Sequence, residues 1–538
     1  MAKNYNTLGV MIDMSRNAVM SLEGLKRFLT LLRKMGYNMV MLYTEDTYEV
    51  KDEPYFGYMR GRYSIEEMKE IDAFCTEIGM TAIPCIQTLA HLNGIFKWGQ
   101  YPRDMSDILL VDDERNYTLI DNMFRTLSEC FKSRKIHIGM DEAHYLGRGR
   151  HLDIHGYEKI PPIMKRHLER IVEIAKKYDY ELMVWSDMFF RSWNNGVYRI
   201  PRCEIPKEVL DSLPPSVIPV YWDYYRSKEE EYLEMIDNHA AFPKETWFAG
   251  GSWCWQGVIP HNKFTLKAML PALDACKKRK VKNIFFTMWG DDGGECSHFS
   301  QLPSLFYLAE YAKGNKDEAK IKKKFKSLIG IDYDDFMKID IPNELDGWNG
   351  AVRNPSKYLV HVDYFNGFLD YTVKEGWGEK YGEFAKELKE IAKKSRKYGY
   401  VFDTATKLCE MLEIKTELGV KTRAAYQAGD KAALEALAKN EYVEVEKRIR
   451  RYALAFEKQW FTDNKPHGFD VQDHLLGALL QRTDACRRRL LAYVSGKLDK
   501  IDELETELLP YRRKGETTNF NNNLCASTVN LSYMGMIP

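Results

Sequence analysis

The sequence has no excess of charge of either sign, since Lys plus Arg and Asp plus Glu each number 78 among its 538 residues. Proteins that bind nucleic acids usually carry a basic excess, so we expect no nucleic-acid partner. Long hydrophobic runs are also missing, because no stretch approaches the roughly 18 apolar residues of a membrane span. The N-terminal MAKNYNTLGVMIDMSRN lacks the charged and then apolar pattern of a secretory signal. We therefore expect a cytoplasmic protein that does not contact a membrane.

Closely spaced cysteines are missing too. The ten Cys are scattered, none of them in a Cys-x-x-Cys pair, and Cys75, Cys85 and Cys276 lie inside apolar runs. This pattern is typical of buried free thiols in a reducing compartment and does not indicate a disulfide framework. No Cys/His spacing resembles a zinc site. We expect neither a bound metal nor a cofactor.

The first three-fifths of the chain alternates short apolar runs with amphipathic helix patterns. The runs are almost continuously hydrophobic, as expected of parallel strands that are covered on both faces. Eight strand–helix units predict an α/β protein built on a (β/α)8 TIM barrel, although a doubly wound sheet would alternate in the same way. The predicted strands are Leu8–Met14, Asn38–Asp46, Thr81–Leu89, Lys135–Glu142, Glu181–Met188, Val217–Tyr224, Thr246–Trp253 and Asn283–Asp292.

The composition changes after Asn315, where Lys, Glu, Ala and Leu dominate with long helical periodicity. We predict two domains, a catalytic barrel over residues 1–315 and a mainly α-helical C-terminal domain over 316–538. The polar, aromatic segment Trp460–Asp473 is predicted as a loop, compatible with packing between domains or with contact to a partner barrel in a homodimer. The tail Asn519–Pro538 is predicted as loop or a short strand. The predicted C-terminal helices are Tyr381–Lys397, Asp403–Leu418, Asp430–Phe456 and Gln472–Leu509.

Carboxylates and aromatic side chains lie at the predicted strand ends, and in a (β/α)8 barrel the C-terminal strand ends form the active site. Carboxylates bind hydroxyls and move protons, while indole rings form walls, so this rim suits a neutral sugar. The residues are Asp13, Arg16, Glu45, Asp46, His91, Asp141, Glu142, Trp185, Asp187, Tyr221, Trp222, Asp223, Trp253, Trp255, Trp289, Asp291 and Asp292.

Asp141–Glu142 is singled out by its position and not by its composition. The chain has five Asp-Glu dipeptides, beginning at residues 52, 113, 141, 317 and 502, and only the third lies at the predicted C-terminal end of a buried strand. Taken singly, His91 is more often a structural histidine and Trp185 or Trp222 more often a core residue. The convergence of all these groups on one rim is what favours a site.

Four segments resemble glycoside hydrolase family 20, the exo-β-N-acetylhexosaminidases. Lys135-Ile-His-Ile-Gly-Met-Asp-Glu142 resembles the family's strand ending His-x-Gly-Gly-Asp-Glu, with Met140 in place of glycine. The strand Gly9–Arg16, the segment Ile83–His91 and the triplet Trp289-Gly-Asp291 resemble its first strand, its histidine segment and its Trp-x-Glu, where Asp291 replaces glutamate. The helical tail is similar to that of bacterial hexosaminidases that act on small substrates.

The resemblance implies retaining hydrolysis in which the substrate's own 2-acetamido oxygen attacks C1. Asp141 would orient the acetamide and stabilise the oxazolinium ion, while Glu142 would act as general acid and then as base. It implies a small oligosaccharide or glycoconjugate substrate with terminal β-linked N-acetylglucosamine or N-acetylgalactosamine, and the sequence leaves the choice between them open.

The other roles follow from the same resemblance. Arg16 would bind the 3- and 4-hydroxyls, and Asp291 the 4- or 6-hydroxyl. Tyr221 and Asp223, two apart and so on one face of a strand, would bind the acetamido group. Asp46 and His91 would form a relay to Glu142. Trp289 would stack under the sugar. The predicted walls of the acetamide pocket are Trp185, Trp222, Trp253 and Trp255.

Two alternatives are compatible with the same rim. One is a retaining barrel glycosidase with a carboxylate nucleophile, in which Glu142 and Asp223 come from separate strands. The other is a sugar-binding protein without turnover, in which the helical domain is the functional part.

Overall fold

The computed structural model describes residues 5–395 and 397–509. Eight parallel strands form a closed barrel in which each strand pairs with the next in the chain and β1 pairs with β8. The predicted (β/α)8 barrel and all eight of its strands are therefore confirmed. The strands are β1 Thr7–Asp13, β2 Met39–Thr44, β3 Thr81–Ile86, β4 Lys135–His137, β5 Glu181–Trp185, β6 Ile218–Trp222, β7 Trp247–Gly251 and β8 Asn283–Met288.

Most strands end earlier than their apolar runs predict. β4 stops at His137 instead of Glu142 because Gly139 and Met140 turn the chain, with φ of 72° and 68°. Side chains that face the barrel interior pack against one another, as Met11 and Cys85 do with their sulfur atoms 3.9 Å apart. The shorter strands leave most of the predicted site residues on the loops that follow them, while Asp13, Trp185, Tyr221 and Trp222 lie at strand ends.

Helices follow the strands as the apolar periodicity predicts. Ser21 caps α1, and a capping box of Ser64 and Glu67 begins α2. The helices of this part of the chain are α1 Leu22–Met35, α2 Ile65–Glu77, α3 Asn93–Phe96, α4 Glu114–Cys130, α5 Arg150–His155, α6 Ile160–Lys176, α7 Asp187–Arg191, α8 Lys207–Leu210, α9 Glu229–His239, α10 Asn262–Lys278 and α11 Leu302–Ala312.

The rest of the described chain is helical, as predicted. The helices are α12 Glu318–Ile329, α13 Tyr333–Met337, α14 Pro355–His361, α15 Trp377–Lys394, α16 Gly399–Gln427, α17 Lys431–Lys439, α18 Glu441–Asp463, α19 Phe469–Val494 and α20 Asp502–Glu505. The single helix predicted over 430–456 is two helices that meet at Asn440. The predicted loop Trp460–Asp473 is shorter, because Trp460 and Phe469 pack against each other from the ends of α18 and α19.

The chain divides into two compact units. The first holds the barrel and comprises the residues up to Ser252 together with 265–289 and 304–317. The second comprises 253–264, 290–303 and the chain from Glu318 on, so the loops after β7 and β8 cluster with the helical part. The predicted tail Asn519–Pro538 lies outside the described residues.

Three global features of the described chain bear on its chemistry. Its cysteines are free thiols, buried except for Cys203. Within residues 5–395 and 397–509, no group of three or more His, Cys, Asp or Glu side chains is arranged to hold a metal ion. In the same residues, none of the helices combines the length and apolar character that a membrane crossing requires.

Candidate active site

The turn after β4 places Asp141 and Glu142 at the C-terminal rim of the barrel. Gly139, Met140 and Glu142 all have positive φ, which is a rare and strained conformation for residues other than glycine. A Cβ on Gly139 would lie 2.0 Å from Oε1 of Gln87, so this position admits only glycine. Met140, in the left-handed region where the related signature has glycine, donates its N–H to the same Oε1 at 3.1 Å. Gln87 thus fixes the turn that presents the carboxyl pair.

Asp141 is buried and held by two neighbours. Gln87 Nε2 donates to its Oδ1 at 2.7 Å, and His91 Nε2 lies 3.3 Å from its Oδ2. Burial alone would raise the pKa of Asp141, but the charge of His91 and the bonds with His91 and Gln87 lower it to about 2. Burial opposes charge on His91, and the Asp141 carboxylate overcomes that effect and raises the pKa of His91 to about 9. At neutral pH the two form an imidazolium–carboxylate pair.

Glu142 has a different environment, although it is the next residue. Its side chain is 41% exposed, compared with 10% for Asp141. Its Oε2 lies 3.9 Å from His91 Nε2, and its Oε1 lies 3.7 Å from a terminal nitrogen of Arg191. Two adjacent carboxyl groups in unlike surroundings are suited to unlike roles. The pair therefore provides one permanently ionised group and one that solvent and a leaving group can reach.

Arg16 lies at the end of β1 within a cage of acidic and aromatic groups. It pairs with Asp13 at 2.6 Å and with Glu45 at 3.5 Å, and its guanidinium lies 5.1 Å from the ring centres of both Tyr43 and Trp289. These contacts leave little freedom to the side chain. Arg16 is thus held in place as a donor for hydroxyl groups of a ligand.

Aromatic rings line the same end of the barrel. Trp289 packs edge-on against Tyr43 at 4.7 Å and lies 6.1 Å from Trp185, which in turn lies 4.3 Å from His137. Trp185 is almost fully buried, whereas Trp289 is 9% exposed. The structure therefore brings Arg16, His91, Asp141, Glu142, Trp185 and Trp289 together at one rim.

Tyr221, in β6, and Asp223, just after β6, contact each other. The Tyr221 ring packs between His239 of α9 and Phe248 of β7, and its hydroxyl donates to Asp223 Oδ2 at 3.2 Å. Asp223 is fully buried and pairs with Arg199 at 3.1 Å. The assignment of both residues to the acetamido group stays a prediction, and the packing of Tyr221 against His239 and Phe248 does not favour it.

The tyrosine that does face the site is Tyr224. It stacks on Trp222 at 5.2 Å, forms hydrogen bonds with Trp289 and Thr287, and is close enough to Asp141 for the carboxylate to raise its pKa further above its ordinary value, in addition to the larger effect of burial. Trp222 therefore packs against one face of the Tyr224 ring. The sequence signal was present, because Tyr224 immediately follows the predicted Tyr221–Asp223 triplet.

The two acids after β2 lie in different surroundings. Asp46 is buried and pairs with Arg60 at 3.3 Å, while Glu45 lies by Arg16 and accepts from the Tyr43 hydroxyl at 3.1 Å. His91 pairs with Asp141, so the predicted relay from Asp46 through His91 to Glu142 is not the arrangement seen here. Glu45 is the acid of this strand end that belongs to the site.

Trp253, Trp255 and Asp291 follow β7 and β8 and belong to the second unit. The two indoles are buried and stack on each other at 4.3 Å. Asp291 is exposed. Its loop is anchored within the unit, because buried Glu295 pairs with buried Lys357 and Ser297 donates to Asp463 at 2.6 Å. The roles of these three residues stay predictions.

A cavity also opens at the opposite end of the barrel, where the strands begin. It is lined by residues such as Thr7, Met39, Thr81 and Lys135. Barrel enzymes carry their chemistry at the C-terminal strand ends, and the carboxyl pair lies there.

Comparison with known proteins finds similarity over parts of the chain. The model described as the Glycoside Hydrolase 20C C-terminal domain matches residues 334–523. Hexosaminidase D of Bos taurus is 24% identical over 254 residues, which cover 43% of this chain and 65% of that protein. Hexosaminidase D of Homo sapiens is 24% identical over 347 residues, covering 57% of this chain and 66% of that protein. The chain thus spans slightly less than two thirds of the length of these curated relatives.

Two solved structures are partially similar. The family 20 exo-β-N-acetylglucosaminidase of Vibrio harveyi has 15% identity and a TM-score of 0.46, over 62% of this chain and 58% of that one. The family 20 β-N-acetylhexosaminidase of Streptomyces coelicolor has 16% identity and a TM-score of 0.44, over 61% of this chain and 70% of that one.

Proposed function

We propose that the chain is a member of glycoside hydrolase family 20 and an exo-acting, retaining β-N-acetylhexosaminidase. Its substrates would be small oligosaccharides or glycoconjugates with a terminal β-linked N-acetylhexosamine. The reaction would proceed through an oxazolinium intermediate formed by the substrate's own acetamido group.

The observation that carries this proposal is the unlike environment of Asp141 and Glu142. The imidazolium of His91 keeps Asp141 ionised, so that carboxylate is suited to accept from the acetamido N–H and to stabilise the positive oxazolinium. Glu142 is accessible, so it is suited to protonate the leaving oxygen and then to deprotonate the attacking water. Ionised Asp141 is better placed as an electrostatic partner than as a nucleophile, because Gln87 and His91 each hold one of its oxygens.

The remaining groups take roles that match their positions. Tyr224, in place of Tyr221, would donate its hydroxyl to the acetamido oxygen that attacks C1. Arg16 would donate to ring hydroxyls, while Trp289 and Trp185 would form the apolar floor and wall against which the sugar stacks.

The cellular setting is part of the proposal. The buried free thiols suit a reducing compartment, so we propose a cytoplasmic enzyme, and the resemblance of the helical tail favours a bacterial one. The sugar-processing role needs no cofactor, because the substrate supplies the nucleophile.

The substitution Glu142→Gln tests the acid role. It removes the proton donor, so hydrolysis of an alkyl β-N-acetylglucosaminide should fall by at least about 100-fold. Hydrolysis of a nitrophenyl glycoside should fall less, because nitrophenolate leaves without protonation. The measurement is kcat/KM on both substrates, and equal losses on the two would contradict an acid role for Glu142.

A thiazoline analogue of the oxazolinium intermediate tests the role of the acetamide. Strong competitive inhibition is expected if Asp141 and Tyr224 bind the cyclised acetamide. If the chain binds N-acetylglucosamine but does not hydrolyse its nitrophenyl glycoside, it is instead a sugar-binding protein without turnover.

A further inference from the structure

Asp187, the first residue of α7, lies directly behind the proposed general acid. It is fully buried, and its Oδ2 accepts from the backbone N–H of Glu142 at 3.1 Å and from Nε of Arg191 at 3.2 Å. Arg191 in turn brings a terminal nitrogen to 3.7 Å from Glu142 Oε1. The main chain and the side chain of Glu142 are thus held by two residues that also hold each other.

The backbone of Glu142 needs such support. Its φ is 51°, in the left-handed region, which costs a residue with a side chain about 1 kcal/mol or more. The hydrogen bond from its N–H to Asp187 compensates for that strain, and α7 provides a rigid base for both partners because Asp187 and Arg191 are one turn apart. The orientation of Glu142 therefore depends on Asp187.

The charges of the two residues act on Glu142 in opposite directions. A carboxylate close to Glu142 disfavours its ionised form, and a guanidinium favours it. Burial, followed by the charges of Asp141 and Glu142, raises the pKa of Asp187 to about 7, and Arg191 opposes this. The Asp187 Oδ1 is buried with no hydrogen-bond partner in the described part of the chain, which also suits a proton there. Asp187 consequently changes its charge near neutral pH.

We propose that Asp187 and Arg191 are positioning residues that fix Glu142 and set the pH range of activity. Asp187 extends this range to higher pH, and Arg191 restricts it. Because this assignment rests on Glu142 being the general acid of the proposed function, its test must separate the two claims.

Other charged groups face the same carboxyls and must stay constant in the test. The groups around Glu142 and Asp187 are Asp141 at the end of β4, His91 after β3, His144 after β4 and Tyr198 before β6. None of these is altered in the variants below, so differences between the variants report Asp187 and Arg191.

The experiment is the pH profile of kcat/KM on an alkyl β-N-acetylglucosaminide, whose leaving group needs the proton, for the full chain and for Asp187→Asn, Arg191→Met and Arg191→Lys. Asp187→Asn removes the negative charge and releases Arg191 toward Glu142, so the alkaline limb should move to lower pH by on the order of one unit. Arg191→Met should move it to higher pH by a similar amount. Arg191→Lys keeps the charge and should leave the limb near its original position.

Asp340→Asn is the matched control. Asp340 is also a buried carboxyl whose burial raises its pKa to about 7, but it accepts from Asn262 and from the N–H of Lys263. This variant should leave the alkaline limb in place even if its thermal stability falls.

The outcomes separate the claims. Opposite shifts for Asp187→Asn and Arg191→Met support the inference. Active variants whose limbs do not move, or move in the same direction, overturn it while leaving the proposed function intact. If Asp187→Asn does not fold, the opposite responses expected of Arg191→Met and Arg191→Lys decide the question. Absence of hydrolysis by the unmodified chain would instead contradict the proposed function.

Discussion

The ion pair between His91 and Asp141 makes the stability of this protein depend on pH at both ends of the range. The pKa of His91 is raised from 6.5 to about 9, so its contribution is fully present below pH 6.5 and is lost as pH rises through about 9. The pKa of Asp141 is lowered from 3.8 to about 2, so its contribution is present above pH 3.8 and is lost as pH falls through about 2.

The substitution His91→Gln should therefore destabilise the protein more at pH 6 than at pH 10. The free energy of unfolding lost by this substitution should be smaller at pH 10 by on the order of 2 kcal/mol, because unprotonated His91 no longer pairs with Asp141. Urea unfolding at both pH values measures it. His239→Gln is the control. Burial lowers the pKa of His239 to about 4, so this histidine is neutral at both pH values. The free energy of unfolding lost by His239→Gln should therefore be the same at pH 6 and pH 10.

Tyr224 and Tyr221 offer a matched pair of hydroxyl deletions three residues apart. Tyr224→Phe should lower kcat/KM by about 100-fold, because it removes the donor that positions the acetamido oxygen for attack on C1. Tyr221→Phe should change kcat/KM by less than about 2-fold but cost about 1 kcal/mol of stability, because Asp223 loses a buried donor. The reverse pattern would show that β6 presents its other face to the substrate.

The residues that sequence reasoning found and missed differ in how they depend on strand ends. Arg16, Asp141, Glu142, Trp185 and Trp289 follow from the rule that barrel chemistry lies where strands end, which tolerates small errors in the boundary. The choice of Tyr224 for the acetamide is sensitive to errors in the strand boundary, because a shift of one residue turns a side chain to the opposite face. A buried neighbour such as Asp187 has no sequence signal beyond its place after β5.

At the scale of elements, the turn after β4 is the part on which the site depends most. Apolar pattern alone extends β4 to Glu142, because Ile138 and Met140 are hydrophobic and buried. The chain instead leaves the strand at Ile138, and positive φ at three of the next four residues turns the carboxyl pair into the rim. Hydrophobicity cannot distinguish a buried strand from a buried turn, so the end of β4 could not be predicted from the sequence.

Gly139→Ala should disable the site through the backbone. The added methyl would meet Gln87 at 2.0 Å and the carbonyl of Ile86 at 2.8 Å, in a left-handed conformation that disfavours alanine. We expect a loss of about 2–4 kcal/mol in stability and of at least about 100-fold in kcat/KM, since displacement of a catalytic group by about 1 Å has such effects.

Gly196→Ala provides the control for this substitution. Gly196 also has positive φ, 79°, but its Cβ would meet nothing within 4 Å. Gly196→Ala should lower the free energy of unfolding by about 1 kcal/mol, from backbone conformation alone, and should keep its activity. Similar losses of activity in both variants would mean that the contact with Gln87 is not what matters at Gly139.

At the scale of the whole molecule, the barrel was predictable and the grouping of its loops was not. Eight apolar runs with helices between them are repeated over some 300 residues, so an error in one boundary leaves the count intact. The clustering of residues 253–264 and 290–303 with the helical unit rests on single contacts far apart in the chain, such as Ser297 with Asp463. No local sequence pattern predicts such contacts.

The second unit depends on the buried ion pair of Glu295 and Lys357, both about 95% buried. Lys357→Met should destabilise this unit by about 3–5 kcal/mol, because it leaves an uncompensated buried carboxylate. The double substitution Glu295→Gln/Lys357→Met should recover most of the loss. Lys439→Met, at the exposed pair with Glu435, should cost less than about 1 kcal/mol. Calorimetric unfolding of the four proteins measures these differences, and no recovery in the double variant would contradict the account.

The central proposal is that the substrate's acetamido oxygen is the nucleophile, with Asp141 orienting the acetamide through its N–H. Nitrophenyl glycosides of glucosamine that carry N-acetyl, N-fluoroacetyl and N-trifluoroacetyl groups test it directly, because each fluorine withdraws electrons and weakens the attacking oxygen. The account expects kcat/KM to fall steeply along this series, by at least about 100-fold from the first to the last. Rates that hardly change with fluorination, together with a covalent glycosyl-enzyme, would contradict it.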